Sequence, residues 1–285
     1  MCKVLFVSNR LRDSFTGASV VSNLNFEYLK SFFGEANVMS YCLQSERKNF
    51  LRKVIKVLFT RRLDGMSISA ENEIISLIDK NSVEAVFIDG SLHGFLTQKI
   101  KKKKPNIKVF VFYHDICYDW VRSLADCSIL SRYRIITHAV SVNENLSAYY
   151  ADANIFLSNK DKFRFDDLYQ RKDSIVLSVA INDDVTNFIA ENRGFVLFVG
   201  ANYKPNIDGI KWYIENIFNY CELDLHVVGK NLKEFESYFE EKNVKVISDA
   251  SCEELKTQYL NSSYVVSPIF SGGGMKVKIA EAMMY

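Results

Sequence analysis

The chain has 285 residues, of which 48% are hydrophobic and 25% are charged, the composition of a globular protein long enough for two domains. Its 36 basic and 34 acidic residues give a formal net charge of +2, which argues against a nucleic-acid partner. No apolar run approaches the roughly 18 residues that a membrane-spanning helix needs, so we expect a cytoplasmic protein.

Short apolar runs bounded by polar turns recur along the whole chain. They lack alternation, which is typical of strands buried on both faces of a parallel sheet. Several of the segments between them have the length and period of helices, so the pattern predicts an α/β fold. In chain order the runs are KVLFVS, ANVMSYCL, EAVFID, IKVFVFY, ANIFLS, SIVLSV, GFVLFVG, LDLHVVG, VKVIS and YVVSPI.

The first run leads through a loop into a predicted helix over residues 18–33, whose apolar residues recur at spacings of three and four. Thr16 and Gly17 form a turn that can start this helix. A glycine before a helix is common for steric reasons, so Gly17 by itself does not indicate a ligand.

Two groups of polar residues follow predicted strands in the N-terminal half. Asp89 is the last residue of EAVFID and Ser91 and His93 come just after it, and His114 and Asp115 follow IKVFVFY. Ligands bind at the carboxyl ends of strands in open α/β sheets, so both groups are candidates for a site. A histidine at the end of a strand also serves structural roles, and the residue types alone do not decide between the two.

A predicted helix from Ser91 to Lys104 ends in the basic run KIKKKK. The lysines could contact an anionic membrane surface. They could equally complement the dipole at the carboxyl end of the helix and stay in water. Both interpretations remain open at this point.

The six cysteines lie far apart, without a Cys-x-x-Cys pair and without a histidine at metal-binding spacing. We therefore expect neither a disulfide framework nor a metal site, and no cofactor.

The order of elements restarts in the C-terminal half. A polar stretch over residues 183–193 precedes Gly194, which opens a new series of strand, loop and helix. We predict two Rossmann-like domains, residues 1–186 and 187–285, that face each other across a ligand-binding cleft.

The last segment, SPIFSGGGMKVKIAEAMM, predicts a strand, a glycine-rich turn and a helix with an apolar face that includes Val277, Ile279 and Met283. The N–H groups of a first helical turn favour an anion, and Lys276 and Lys278 add positive charge there. The segment therefore suits a diphosphate, although a flexible turn beside a solvated helix gives the same pattern. A Walker loop and a Gly-x-Gly-x-x-Gly motif after the first strand are both missing, which disfavours a P-loop protein and a dinucleotide-dependent oxidoreductase.

From Gly194 onward the sequence resembles the donor domain of the retaining glycosyltransferases with the GT-B fold. FVLFVGANYKPNIDGIKWYIENIF, LDLHVVGK and the segment from VKVIS to AEAMM carry the resemblance, and residues 1–186 are compatible with it. The resemblance implies a nucleotide-sugar donor and a glycan or polyprenyl-linked acceptor. It also implies a role in surface polysaccharide biosynthesis, with peripheral contact at the inner face of the membrane.

The resemblance also implies roles for individual residues. Glu281 matches the second of two glutamates found in many members, near the donor ribose or nucleotide, whereas Gly273 stands where the first occurs. His114 is expected near the reacting sugar as the catalytic candidate, and Gly17 in a loop that contacts the acceptor or the donor phosphates. Asn206 has a second interpretation, as the N-cap of a helix. The implied donor-binding residues are Gly200, Lys204, Asn206, Gly273, Gly274, Lys278 and Glu281.

The chain stops at Tyr285 inside a predicted helix, where members of the group continue. The resemblance therefore implies an incomplete second domain, in which activity is in question. Two other functions remain open, namely a noncatalytic GT-B-like binding or scaffold subunit and a nucleotide-sugar epimerase.

Overall fold

The computed structural model describes residues 2–11, 16–44, 50–126, 133–171, 173–180, 194–271 and 275–285. The chain divides into two compact units between Val179 and Ala180. The predicted domain boundary at 186/187 lies outside the described residues, so it stays a prediction.

The N-terminal unit is built on a sheet of six strands, all of them parallel in its described part. The order across the sheet is β2-β1-β3-β4-β5-β6, and each strand lies on one of the apolar runs of the sequence. The strands are β1 Val4–Ser8, β2 Val38–Cys42, β3 Ala85–Asp89, β4 Lys108–Tyr113, β5 Ala153–Phe156 and β6 Ser174–Val176.

Helices connect these parallel strands. All residues of β1 and β3 are buried, because helices cover both faces of the sheet. The helices are α1 Gly17–Phe33, α2 Phe50–Thr60, α3 Ile68–Asn81, α4 Gly94–Lys103, α5 Cys117–Asp126, α6 Tyr133–Tyr150 and α7 Asn159–Tyr169. None of the described helices of the chain is both long and apolar enough to span a bilayer.

Two predicted helices of this unit can be compared with the structure. The predicted start of α1 is confirmed, since the Thr16 hydroxyl accepts a hydrogen bond from the Ser19 N–H at 3.1 Å. The helix predicted from Ser91 begins three residues later, at Gly94. The reason is that the Ser91 side chain donates to Glu144 of α6 instead of capping its own helix.

The C-terminal unit has a smaller parallel sheet, with the order β10-β7-β8-β9 in the described residues. Its strands also lie on apolar runs of the sequence. The elements are β7 Phe195–Val199, α8 Lys204–Asn216, β8 Asp224–Gly229, α9 Glu236–Glu240, β9 Lys245–Ser248, α10 Cys252–Asn261, β10 Ser262–Val265 and α11 Val277–Met284. The ten runs therefore correspond to ten strands among the described residues, and the predicted α/β class is confirmed.

Two details of this unit differ from expectation. Tyr203, not Asn206, is the N-cap of α8, because Lys204 and Pro205 already belong to the first turn. The apolar face predicted for α11 is also wrong in part, since Val277 is buried but Ile279 is 44% and Met283 84% exposed. Sequence spacing identifies an apolar stripe but not which part of it the sheet covers.

Candidate functional site

The carboxyl edge of the N-terminal sheet holds a buried carboxylate. Asp89 ends β3 and is completely buried. The hydroxyls of Ser8, which ends β1, and Ser22, on α1, both donate to its Oδ2 at 2.6 Å. His114, which follows β4, places Nε2 2.8 Å from Oδ1. Three strands and one helix thus bring four polar side chains together at the place where ligands bind in such sheets.

The pKa of Asp89 is set by competition between burial and the side chains that face the carboxylate. Burial alone would raise the pKa of Asp89, but His114 and Arg10 outweigh it and hold the pKa below its usual value. The guanidinium of Arg10 also donates to the Asp89 carbonyl at 3.2 Å. An ionised carboxylate accepts only, so Nε2 of His114 carries the hydrogen of their shared bond. The buried Nδ1 of His114 has no hydrogen-bond partner among the described residues.

The other predicted residues near β3 have different surroundings. His93 is buried, and neither ring nitrogen has a hydrogen-bond partner in the described part of the chain. Burial lowers the pKa of His93 to about 4, so the ring is neutral at pH 7. Gly17 is exposed at the first position of α1. The residue through which α1 reaches the cluster is Ser22, which the sequence analysis did not identify.

A second buried carboxylate, Glu144 on α6, was also missed. Its oxygens accept hydrogen bonds from the Ser91 hydroxyl at 2.7 Å and the Tyr169 hydroxyl at 2.9 Å. The backbone N–H groups of Cys117 and Tyr118 donate to it at 3.0 and 3.1 Å, so Glu144 caps the amino end of α5. Burial raises its pKa to about 7 although all four donors favour the charged form. A glutamate in the middle of a helical sequence gives no signal of this role.

In the C-terminal unit, the amine of Lys278 is held at the carboxyl end of β7. It donates to the Val199 carbonyl at 2.7 Å and to Oδ1 of Asn206 at 3.0 Å. It also lies 4.7 Å from the centre of the Phe198 ring. The structure therefore brings the predicted residues Lys278 and Asn206 together, from helices far apart in sequence.

The amine of Lys278 is largely removed from water. Burial lowers its pKa to about 8, and Lys276 adds a smaller effect of the same sign. The amine is still mostly charged at pH 7, but it loses its proton near pH 8, where an ordinary lysine remains charged.

Gly200 makes room for this arrangement. A Cβ atom there would lie 2.9 Å from Cε1 of Phe198 and 3.0 Å from Cγ of Asn206. The Asn206 amide group also donates to the Ala201 carbonyl at 3.0 Å, which turns Oδ1 toward the lysine. Gly200 thus leaves room for Asn206, and Asn206 presents its Oδ1 as the hydrogen-bond acceptor for the amine of Lys278.

Glu281 lies one turn after Lys278 on α11 and is mostly buried. The hydroxyl of Tyr259, on α10, donates to Oε2 of Glu281 at 3.2 Å. Burial raises the pKa of the Glu281 carboxyl, and the tyrosine hydrogen bond acts against that shift. Tyr259 was missed because nothing in the sequence pairs residues of two different helices.

Three predicted donor-binding residues stand apart from this group. Lys204 is exposed, and its amine pairs with Asp208 at 2.6 Å within α8. Gly273 and Gly274 lie outside the described residues.

Among known proteins, the C-terminal third of the chain is similar to one described family. Residues 193–285 match the model of the family described as "Glycosyl transferases group 1". A search among curated proteins finds no significant match.

Solved structures extend the likeness to the whole chain at the level of fold. The lipopolysaccharide outer core galactosyltransferase WaaB, in its apo form, is 14% identical with a TM-score of 0.59, over 99% of this chain and 78% of that one. A glycosyltransferase from Rickettsia africae is 13% identical with a TM-score of 0.59, over 99% and 77%. A mutant of S. aureus TarM, in complex with fondaparinux, α-GlcNAc-glycerol and UDP, is 12% identical with a TM-score of 0.57, over 75% and 43%. The expected resemblance to glycosyltransferases of the GT-B fold is confirmed, at these identities as a likeness of fold.

Proposed function

We propose that this chain is a glycosyltransferase that moves a sugar from a nucleoside-diphosphate sugar to a glycan or polyprenyl-linked acceptor in surface polysaccharide biosynthesis. The observation that carries the proposal is the Lys278 amine, fixed by Val199 and Asn206 at the carboxyl end of β7, inside the segment that matches the family. A lipid-linked acceptor would bring the protein to a membrane surface.

The donor diphosphate is assigned to the C-terminal unit. An ammonium group has three donors, and Val199 and Asn206 use two of those on Lys278. We assign the third to a phosphate oxygen. The N–H groups that begin α11, with Lys276 beside them, add favourable dipole and charge for the same anion.

The reaction follows from charge that develops on the diphosphate. The bond between the anomeric carbon and the phosphate oxygen breaks, the acceptor oxygen bonds to that carbon, and the proton of the acceptor hydroxyl passes to an oxygen of the departing diphosphate. The departing diphosphate gains negative charge, which a preorganised ammonium and a helix amino end stabilise more than they stabilise the intact donor. Retention of configuration at the anomeric carbon is implied by the resemblance to retaining enzymes.

Two further polar contacts are assigned to the substrates. Glu281 would accept hydrogen bonds from ribose hydroxyls, since a carboxylate has several acceptor sites. Nδ1 of His114 would accept a hydrogen bond from a sugar hydroxyl, because Nε2 is already bonded to Asp89. Asp89 would act through the histidine by fixing its tautomer and ring orientation.

The test is titration calorimetry with UDP-, GDP- and CMP-sugars, followed by a transfer assay with the sugar that binds. We expect one nucleotide to bind and its sugar to appear on an acceptor glycan. Binding followed by conversion of the donor to its epimer would replace the proposal with an epimerase. Binding of a glycan but of no nucleotide would replace it with a scaffold subunit.

A further inference from the structure

Two short segments carry the pair of Asp89 and His114 at the edge of the N-terminal sheet. The β3 segment, residues 89–91, ends strand β3 and leaves it. The β4 segment, residues 114–117, leaves strand β4 and leads into α5. Because β3 and β4 are adjacent parallel strands, the two segments start side by side, and their separation sets the contact between Asp89 and His114.

One oxygen of Glu144, on α6, binds both segments. Its Oε1 accepts from the Ser91 hydroxyl at 2.7 Å and from the Cys117 N–H at 3.0 Å. Helix α6 holds Ser91 a second time, because the Ser147 hydroxyl, one turn further along, donates to the Ser91 carbonyl at 2.9 Å. Oε1 of Glu144 is thus a common acceptor for the β3 segment and the β4 segment.

The other oxygen holds the carboxyl group in place. Oε2 of Glu144 accepts from the Tyr118 N–H at 3.1 Å and from the hydroxyl of Tyr169, on α7, at 2.9 Å. Because each oxygen has two donors, rotation of the carboxyl group would break hydrogen bonds at both of them. The side chain is completely buried, so water does not replace a donor that is lost.

Three titratable side chains that face Glu144 are neutral near pH 8. They are Tyr113 of β4, Cys117 of α5 and Tyr169 of α7, and burial is the first cause that raises the pKa of each above its usual value. Burial raises the pKa of Glu144 itself to about 7, so near pH 8 its carboxyl is mostly ionised. An ionised carboxylate accepts all four hydrogen bonds.

Gly90 allows the chain to turn between Asp89 and Ser91. Its φ is +136°, a conformation that residues with a Cβ atom rarely adopt. The turn lets Asp89 bond to His114 while Ser91, two residues later, bonds to Glu144. A displacement of Ser91 is therefore passed through a single residue to Asp89.

We propose that Glu144 is a positioning residue, which holds the β3 and β4 segments together and thereby sets the contact between Asp89 and His114. Its effect on catalysis rests on the proposed function, in which His114 meets the reacting sugar. Its effect on the His114 ring does not depend on that function. A role of Glu144 in stability alone would leave the His114 ring unchanged, so the two roles are distinguished by measurement.

Long-range proton–nitrogen NMR of the chain labelled at histidine measures which ring nitrogen carries the hydrogen. The signal of His114 is the one among the four histidines that His114→Asn removes. In the parent chain near pH 8 we expect the hydrogen on Nε2, which faces Asp89. Glu144→Gln should give a mixture of tautomers, because its amide NH2 group faces a donor and releases one segment.

Ser91→Ala and Tyr169→Phe form a matched pair that keeps the carboxylate. Each removes one hydroxyl that donates to Glu144, but Ser91 lies on the β3 segment and Tyr169 lies on α7. Ser91→Ala should shift the His114 signal in the same direction as the loss of the carboxylate. Tyr169→Phe should leave the signal at its parent position. This pair decides the question even where Glu144→Gln does not fold.

Glu71→Gln is the control for the loss of a buried negative charge. Glu71 is 1% exposed on α3, and it pairs with Arg62 and Lys99, which lie on neither segment. The variant should keep the parent signal of His114. Its circular dichroism, and that of every other variant, should match the parent chain.

Steady-state kinetics connect the position of the ring to the reaction. Glu144→Gln should lower kcat about tenfold with the KM for the donor unchanged, because a misplaced group slows the reaction without weakening donor binding. Glu71→Gln should keep both constants. A shifted His114 signal in a parent chain that transfers no sugar would support the positioning role and overturn the proposed function.

Two results would overturn the positioning role itself. One is a parent signal of His114 in both Ser91→Ala and folded Glu144→Gln. The other is a shift in Tyr169→Phe or Glu71→Gln as large as the shift in Ser91→Ala, which would show a general response to a lost buried contact.

Discussion

Asp89 and His114 face each other across the carboxyl ends of two adjacent strands, with Oδ1 of Asp89 2.8 Å from Nε2 of His114. The carboxylate is buried and held ionised, so it fixes which ring nitrogen carries the hydrogen. Nδ1 of His114 is then the ring nitrogen that has no hydrogen-bond partner among the described residues. Because β3 and β4 are adjacent, Asp89 at the end of one strand fixes the orientation of the His114 ring that follows the other.

Asp89→Asn should lower kcat about 10- to 100-fold while changing the KM for the donor little. The neutral amide no longer favours the hydrogen on Nε2, so Nδ1 loses its defined role as an acceptor. Steady-state kinetics with the donor identified by calorimetry give the two constants. Ser8→Ala is the control, because it removes one buried hydrogen bond to Asp89 but keeps the charge. An equal loss in both variants would assign Asp89 a structural role alone.

Lys278→Met should weaken binding of the nucleoside diphosphate about tenfold or more, since a charge-assisted hydrogen bond to phosphate is lost. Calorimetry with the free nucleoside diphosphate measures the change. Lys245→Met is the matched control, because Lys245 is exposed at the amino end of β9, away from the carboxyl ends of the strands. Unchanged affinity in Lys278→Met would remove this lysine from the donor site.

Donor affinity should also fall as the pH rises through about 8, the lowered pKa of Lys278. Above that pH the amine becomes neutral and its attraction for phosphate is lost, whereas an ordinary lysine would stay charged to about pH 10. Titrations from pH 7 to pH 9 in the parent chain and in Lys278→Met provide the measurement. The slope should be present in the first and flat in the second; parallel slopes would contradict the assignment.

Glu144 should make the protein less stable as the pH rises from about 4.5 to about 7. Its folded-state pKa is raised from 4.5 to about 7, so the folded state holds the proton more tightly over this window. Stability from this group is full below the unfolded-state pKa and is lost by the time the pH passes the folded-state value. Urea unfolding at several pH values measures the slope, and Glu144→Gln should flatten it.

Glu144→Gln should also cost about 1 to 3 kcal/mol at neutral pH. Each oxygen of Glu144 accepts from one backbone N–H, so either orientation of the amide places its NH2 group against a donor. Glu215→Gln on the surface of α8 is the control and should change the unfolding free energy little. Equal stability of the two variants at neutral pH would contradict the capping role of Glu144.

The sequence predicts the strands well, and the reason is local. A parallel strand such as Ala85–Asp89 is apolar at every position because helices cover both faces, and this pattern is visible in five residues. Lys278 was named as a candidate because it stands in a recognisable motif, and its role in donor binding stays a prediction. The resemblance implied that Asn206 lies near the nucleotide-sugar donor. The hydrogen bond from Lys278 to Asn206 was not predicted.

Long-range partners account for what the sequence does not predict. Ser22, Tyr259 and Glu144 act through residues between 22 and 67 positions away, and no spacing rule covers such pairs. The start of α8 at Lys204 was missed for a local reason. Lys204 and Pro205 resemble loop residues as long as the N-cap, Tyr203, is not known. The exposed part of α11 was missed because an amphipathic pattern does not say what covers the helix.

Gly209 allows α8 to lie directly against the chain that follows β10. A Cβ atom there would overlap the carbonyl oxygen of Pro268, so the backbones of α8 and of the segment after β10 lie in direct contact. The same helix carries Asn206, which holds the amine of Lys278. Helix α8 therefore contacts the backbone that follows β10 and also binds the amine of Lys278 on α11, so one helix fixes the positions of both.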